Sequence, residues 1–83
     1  MELRQETITV REKEYQLQEM PVRQYIKMQQ RHTDKNGKIN VENVYDEIFE
    51  HIIVSPKGAR LDDYRANELE ELMRAVSAFQ QGD

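Results

Sequence analysis

The residues best suited to chemistry are the two histidines and the carboxylates near them. Glu47 and His51 stand one helical turn apart, and so do Asp46 and Glu50. Either pair could supply two ligands to a metal ion, but a structural site needs about four and a catalytic site about three. His32 lies in the other half of the chain, on or beside a polar loop. A solvated helix face therefore explains these residues better, and we predict no metal site and no cofactor.

The segment Asp34–Ile39, DKNGKI, shares some features with a calcium-binding loop. Such a loop has glycine at its sixth position and a bidentate glutamate at its twelfth. If Gly37 takes the sixth position, the first ligand is His32 and the twelfth is Asn43, so both carboxylate anchors are missing. The pattern predicts a turn at this segment rather than a cation site.

Sequence patterns of catalysis are also missing. The chain has no glycine-rich phosphate loop, and no serine stands with a histidine and a carboxylate in a recognisable catalytic pattern. We therefore expect no enzyme activity. The 83 residues include no cysteine, and no charged-then-apolar leader opens the chain, which favours an intracellular protein.

The charge pattern argues against two classes of partner. The net charge is −4, with eight basic and six acidic residues in 1–38 and four basic and ten acidic residues in 39–83. An acidic chain without a basic stripe is poorly suited to phosphate backbones, so we expect no binding to nucleic acid. The longest apolar run, Ile52–Val54, is too short to cross a membrane, and we expect no membrane binding.

The elements that position these residues are organised around the segment Asn40–Pro56. Its apolar residues recur at helical spacing and form one stripe: Val41, Val44, Tyr45, Ile48, Phe49, Ile52 and Ile53. Asn40 is a suitable N-cap, and the residue before Pro56 is disfavoured in a helix. We predict a helix over 41–54 and expect it to be the most buried element.

A hairpin and two more helices are expected around that segment. Thr7–Val10 and Tyr15–Gln18 alternate polar and apolar residues, which predicts a hairpin over 5–18 with its loop at Glu12-Lys13 and Arg11 opposite Glu14. Pro21 can open a helix over 21–32 that buries Val22, Tyr25 and Ile26. The last helix is expected over 62–80, with its stripe formed by Leu69, Leu72, Met73, Val76 and Phe79.

Together these elements predict one mainly α domain over residues 1–83, a three-helix domain with a short N-terminal β-hairpin. Four apolar residues are left outside the expected core: Met28, Ile53, Val54 and Tyr64. A contiguous apolar patch on a surface usually marks a binding site. We therefore expect these four to bind a protein partner or a second copy of the chain.

The order of elements resembles a known family. After the hairpin and the proline-started helix come Ile53-Val54-Ser55-Pro56, then Leu61-Asp62-Asp63-Tyr64, then Glu68-Leu69-Glu70-Glu71-Leu72 with Val76 and Phe79. This cadence is similar to that of the tail assembly chaperones of long-tailed, siphovirus-type phages and prophages.

The resemblance implies a non-enzymatic protein that holds the tape-measure protein soluble in the bacterial cytoplasm until the tail tube assembles around it. The rival interpretation is a small acidic helical regulatory or adaptor protein, for example a toxin neutraliser, which would also act by protein–protein binding. A neighbouring gene for a tape-measure protein would favour the first function, and a neighbouring toxin gene the second.

Overall fold

The computed structural model describes residues 3–82. In chain order the elements are β1 (Gln5–Val10), β2 (Lys13–Gln18), α1 (Val22–Arg31), α2 (Val41–His51), β3 (Ile53–Ser55), a 3-10 turn (Leu61–Asp63) and α3 (Ala66–Gln81). The strands form one antiparallel sheet in the order β1-β2-β3. The predicted three-helix domain with a two-stranded hairpin is therefore wrong, because a third strand completes the sheet.

The third strand comes from the segment predicted as the end of the central helix. That helix, α2, ends at His51, and Ile53 then pairs with Leu17 of β2. The amide of Gln18 also donates to the carbonyl of Ile52 at 2.9 Å. β-branched residues fit a pleated sheet well, and an isolated hairpin is only marginally stable. The run Ile52–Val54 thus covers the open edge of β2 instead of adding a turn to the helix.

The hairpin turns one residue earlier than predicted. Val10 pairs with Lys13, so the two-residue turn is Arg11-Glu12, not Glu12-Lys13. Both turn residues have positive φ, 50° and 68°, as a type I′ hairpin turn requires. Ile8 faces Tyr15 rather than Leu17, but a register change of two residues keeps the same side chains on the inner face. Arg11 pairs with Glu71 of α3 at 2.6 Å instead of with Glu14.

The core lies where the inner face of the sheet meets all three helices. Its buried members are Tyr15, Leu17, Met20, Met28, Val44, Ile48, Ile52, Ile53, Leu72, Met73, Val76 and Phe79. The helix α3 buries five residues and α2 buries two, so α3 and not the central helix contributes most.

The last turn of α3 also anchors the connection between β2 and α1. The Gln80 side chain accepts a hydrogen bond from the Met20 amide at 2.8 Å and donates one to the Met20 carbonyl at 2.7 Å. Gln80 is only 6% exposed and Met20 only 7%. A buried backbone amide and carbonyl need partners, and here one side chain supplies both. This pairing fixes where α1 begins.

Candidate protein-binding surface

The structure brings both histidines to one carboxylate. Glu47 of α2 contacts Nε2 of His32 through Oε2 and accepts a hydrogen bond from Arg31 Nη2 at 3.1 Å through Oε1. His51 Nε2 lies 4.0 Å from the same Oε1. This cluster ties the C-terminal end of α1 to α2. Arg31 already occupies the carboxylate, and within residues 3–82 no group of three potential ligands is arranged to hold a metal ion.

The polar loop after α1 satisfies its own backbone. Asp34 Oδ1 accepts hydrogen bonds from the amides of Asn36 at 2.8 Å and Lys38 at 2.9 Å. Gly37 has a φ of 83°, which glycine adopts without the penalty of a side chain. The carboxylate that a calcium ion would need is therefore engaged in holding the turn.

The four residues expected to bind a partner do not form one surface. Met28 is fully buried and Ile53 is 3% exposed, so both belong to the core. Val54 is 40% exposed and lies with Gln5, Thr7 and other residues of the outer side of the sheet. Tyr64 is half-buried against the core. Only Val54 of the four offers apolar surface to a partner.

Tyr64 makes several contacts within the fold. Its ring stacks on Phe49 with the centroids 5.6 Å apart, and its hydroxyl accepts a hydrogen bond from Tyr15 at 3.1 Å. The Lys13 amine lies 5.7 Å from the ring centroid. Burial, and then the hydrogen bond with Tyr15, raise the pKa of Tyr64 well above its ordinary value. These contacts close the core at the edge where the 3-10 turn meets the sheet.

The apolar surface that the fold leaves open is on α1. Val22 is 64% exposed and Ile26 is 47% exposed, although sequence periodicity had both facing the core. They stand one turn apart and line a shallow groove together with Arg23, Lys27 and Gln30. We call these five residues the α1 face. It joins two unburied aliphatic side chains to two cations.

The α1 face carries two positive charges, Arg23 and Lys27, and no negative charge. No acidic residue occurs in Val22–Arg31, and none caps the first turn, where the helix dipole is itself positive. Arg31 pairs with Glu47, but among residues 3–82 neither Arg23 nor Lys27 has a carboxylate within ion-pair distance. A protein of net charge −4 thus presents a locally cationic helix.

A second pattern in the sequence, which does not involve aliphatic residues, predicts which side of α1 faces the core. Tyr25, Met28 and His32 follow the spacing i, i+3, i+7, which also defines one face of a helix. In the structure Met28 is buried, and Tyr25 and His32 are half-buried. Burial raises the pKa of Tyr25. The side of α1 that carries Tyr25, Met28 and His32 faces the core because Glu47 supplies a partner for His32. Counting aliphatic residues does not reveal this partner.

Four other large apolar side chains in the described part of the chain are exposed. They are Leu3, Ile39, Val41 and Val54, each between 39% and 49% exposed. A larger cleft of about 670 Å³ lies between α2 and the segment after β3. Its rim carries Asp46 and Glu50 as well as Lys57 and Arg60, so its charge is mixed. The α1 face is more uniform in charge and carries the most exposed aliphatic residue, Val22.

Comparison of the chain with protein-family models, with curated proteins and with solved structures found no match. Across residues 3–82, none of the helices combines the length and the apolar character needed to cross a bilayer.

Proposed function

We propose that this protein is a non-enzymatic tail assembly chaperone of a long-tailed phage or prophage. In this role it binds the tape-measure protein in the cytoplasm of the bacterial host and keeps it soluble until the tail tube assembles. The exposed pair Val22 and Ile26 on α1 is the observation that carries the proposal. The resemblance in the cadence from Ile53 to Phe79 supplies the identity of the partner.

The cadence residues are structural, which is what a shared scaffold requires. Ile53, Leu72 and Phe79 are buried, and Leu69 and Tyr64 pack against the same core. Among the apolar cadence residues Val54 is the exception, since it is 40% exposed. Residues that define the scaffold are thus separate from the α1 face, which is free to vary with the partner.

The chemistry of the α1 face suits a chaperone that must later release its client. A long helical protein that aggregates does so through apolar stripes, and covering a stripe requires apolar contact. Val22 is 64% exposed and Ile26 47% exposed, so burying what remains exposed contributes only about 1–2 kcal/mol for each side chain. A contribution of this size gives a reversible contact, which suits a client that must later be released.

The proposal is tested by co-expression with a tape-measure fragment. The fraction of the fragment that stays soluble after centrifugation is compared for the wild type, for Val22→Ser with Ile26→Ser, and for Ile39→Ser with Val41→Ser. The last pair is a matched control, because its aliphatic residues are 46% and 49% exposed but lie outside the α1 face. We expect the wild type and the control to keep the fragment soluble and the α1 variant to fail.

A fragment that precipitates equally with and without the wild-type protein would contradict the chaperone function. Binding to the product of a neighbouring toxin gene, together with no binding to the tape-measure fragment, would assign the adaptor function instead. Circular dichroism of each variant shows whether the fold is intact.

A further inference from the structure

We infer that the α1 face is a docking site for an amphipathic helical segment whose apolar stripe runs beside a row of carboxylates. This inference rests on the proposed function, since it names the part of the client that the surface would recognise. It goes further in assigning the site to defined residues and in fixing the charge of the partner.

Val22 and Ile26 form the apolar part of the α1 face. Residues four apart on a helix lie on the same side, about 6 Å apart along the axis. A partner helix that runs along α1 meets this row with its own i, i+3, i+4 apolar residues. The α1 face runs from Val22 to Gln30, about 12 Å along the helix axis, which matches a little over two turns of the partner.

The charged half is the row that runs beside it. Arg23 follows Val22 and Lys27 follows Ile26, so two cations stand one turn apart on the flank of the aliphatic row. Both line the same groove as the aliphatic pair. A partner helix that places its apolar residues on Val22 and Ile26 brings the residues next to that stripe close to these cations. Carboxylates there gain ion pairs, and lysines there are repelled.

Burial of the rest of α1 limits which partners fit. Met28 is fully buried and Tyr25 half-buried, so this side of the helix packs on the core and only the α1 face is available to a partner or a bilayer. Interfacial helices need a wide apolar face that enters the acyl region, and two aliphatic residues do not provide one. The remainder of the protein is acidic, with a net charge of −6 over residues 39–83, which opposes binding to anionic lipid.

A second copy of this chain is the competing occupant. Its α2 carries Asp46 and Glu50 at the rim of the cleft that holds Val54. Contact between that rim and the α1 face would join different surfaces, and such head-to-tail contacts form rings or filaments. The Lys57 and Arg60 side chains on the same cleft reduce its fit to a cationic helix. The complementary charge pattern therefore favours a separate acidic segment.

The test uses two synthetic helical peptides with the same leucine stripe, one flanked by glutamate and the other by lysine. Binding of each to the full-length protein is measured by fluorescence anisotropy. We expect the wild type to bind the glutamate peptide at least about tenfold more tightly than the lysine peptide, which corresponds to about 1.4 kcal/mol. Raising the salt from about 50 to 500 mM should narrow this difference, because exposed charges are screened.

Two charge-reversal variants separate the site from net charge. Arg23→Glu with Lys27→Glu alters the α1 face, and Lys35→Glu with Arg74→Glu alters two exposed cations elsewhere. Each replaces two cations by two anions and takes the net charge from −4 to −8. We expect the first variant to prefer the lysine peptide and the second to keep the wild-type preference. Val22→Ser with Ile26→Ser should weaken binding of both peptides about tenfold or more.

Equal effects of the two reversals on the glutamate peptide would overturn the inference, and so would failure of that peptide to bind. If the wild type binds vesicles of phosphatidylserine and phosphatidylcholine and Arg23→Glu with Lys27→Glu does not, the α1 face binds a lipid surface instead. If the mass measured by light scattering rises with protein concentration in the wild type but not in this variant, the α1 face binds a second copy of the chain.

The two proposals fail separately. If the tape-measure fragment binds with the same affinity to wild type and to Arg23→Glu with Lys27→Glu, the chaperone function stands and the assignment of the site is wrong. If the glutamate peptide binds as expected while the tape-measure fragment does not bind, the site stands and the chaperone function is wrong.

Discussion

Replacing Gln80 by methionine should destabilise the fold far more than its position near the end of the chain suggests. Methionine has a similar length and volume, so the substitution leaves little cavity. It removes the one side chain among residues 3–82 that pairs with the Met20 amide and carbonyl, at 2.8 and 2.7 Å. The Met20 amide and carbonyl then have no side-chain partner, although Met20 is only 7% exposed.

The expected loss follows from the cost of two unpaired backbone groups. Leaving one buried donor or acceptor without a partner costs about 1–3 kcal/mol, so losing both costs about 2–6 kcal/mol. A small domain is stable by about 5–15 kcal/mol in total. The substitution should therefore remove a large part of the free energy of unfolding and shift the urea midpoint strongly downward.

Urea denaturation followed by circular dichroism measures this loss. Gln81→Met is the matched control, since it makes the same chemical change at the next position of α3, where the side chain is exposed. We expect the control to stay within about 0.5 kcal/mol of the wild type. A loss below about 1 kcal/mol for Gln80→Met would refute the reasoning, because it would mean that water satisfies the Met20 backbone.

Three further predictions concern the core, the hairpin turn and a tyrosine. Ile48→Ala should cost about 2–5 kcal/mol in urea denaturation, because Ile48 is 3% exposed; a cost below about 0.5 kcal/mol would contradict its place in the core. Glu12→Gly should raise the free energy of unfolding by about 1 kcal/mol, because the residue has a φ of 68°, and an unchanged midpoint would count against turn strain. Burial raises the pKa of Tyr64 above the unfolded value of about 10, so the contribution of Tyr64 to the free energy of unfolding should be fully present below that pH and decrease as the pH rises above it. In Tyr64→Phe the free energy of unfolding should decrease less over the same pH range, and an equal decrease in both proteins would contradict the assignment.

Local patterns predicted much of the secondary structure because they depend on residues close in the chain. The inner face of the hairpin is set by alternation, and its side chains Tyr15 and Leu17 are buried. Asn40 caps α2 by accepting from the Asn43 amide at 3.2 Å, as its residue type indicates. Gly82 ends α3 in the left-handed conformation, with a φ of 94°.

The fold class was missed because it depends on one long-range pairing. Ile52 and Ile53 continue the helical stripe of α2, and nothing within that segment opposes another turn before Ser55. The competing state pairs Ile53 with Leu17, which lies 36 positions away in the chain. Helical periodicity measures only the first alternative. The β-branched run Ile52–Val54 was the one local sign of a strand.

The candidate site was missed for a related reason. Counting aliphatic residues on α1 gives Val22 and Ile26 as the inner face, but the helix is turned so that Met28 is buried. The Glu47 side chain on α2 holds His32 and Arg31 at the end of α1, which fixes this rotation. A contact between two elements decides which face is exposed, and neither helix shows it alone.

Hydrogen–deuterium exchange of the protein with and without a tape-measure fragment locates the binding surface without changing any residue. The account predicts slower exchange of amides in Val22–Arg31 on binding, with exchange in Ile39–Val44 unchanged. Slower exchange confined to the sheet edges β1 or β3, or no change anywhere when the fragment is present, would contradict it.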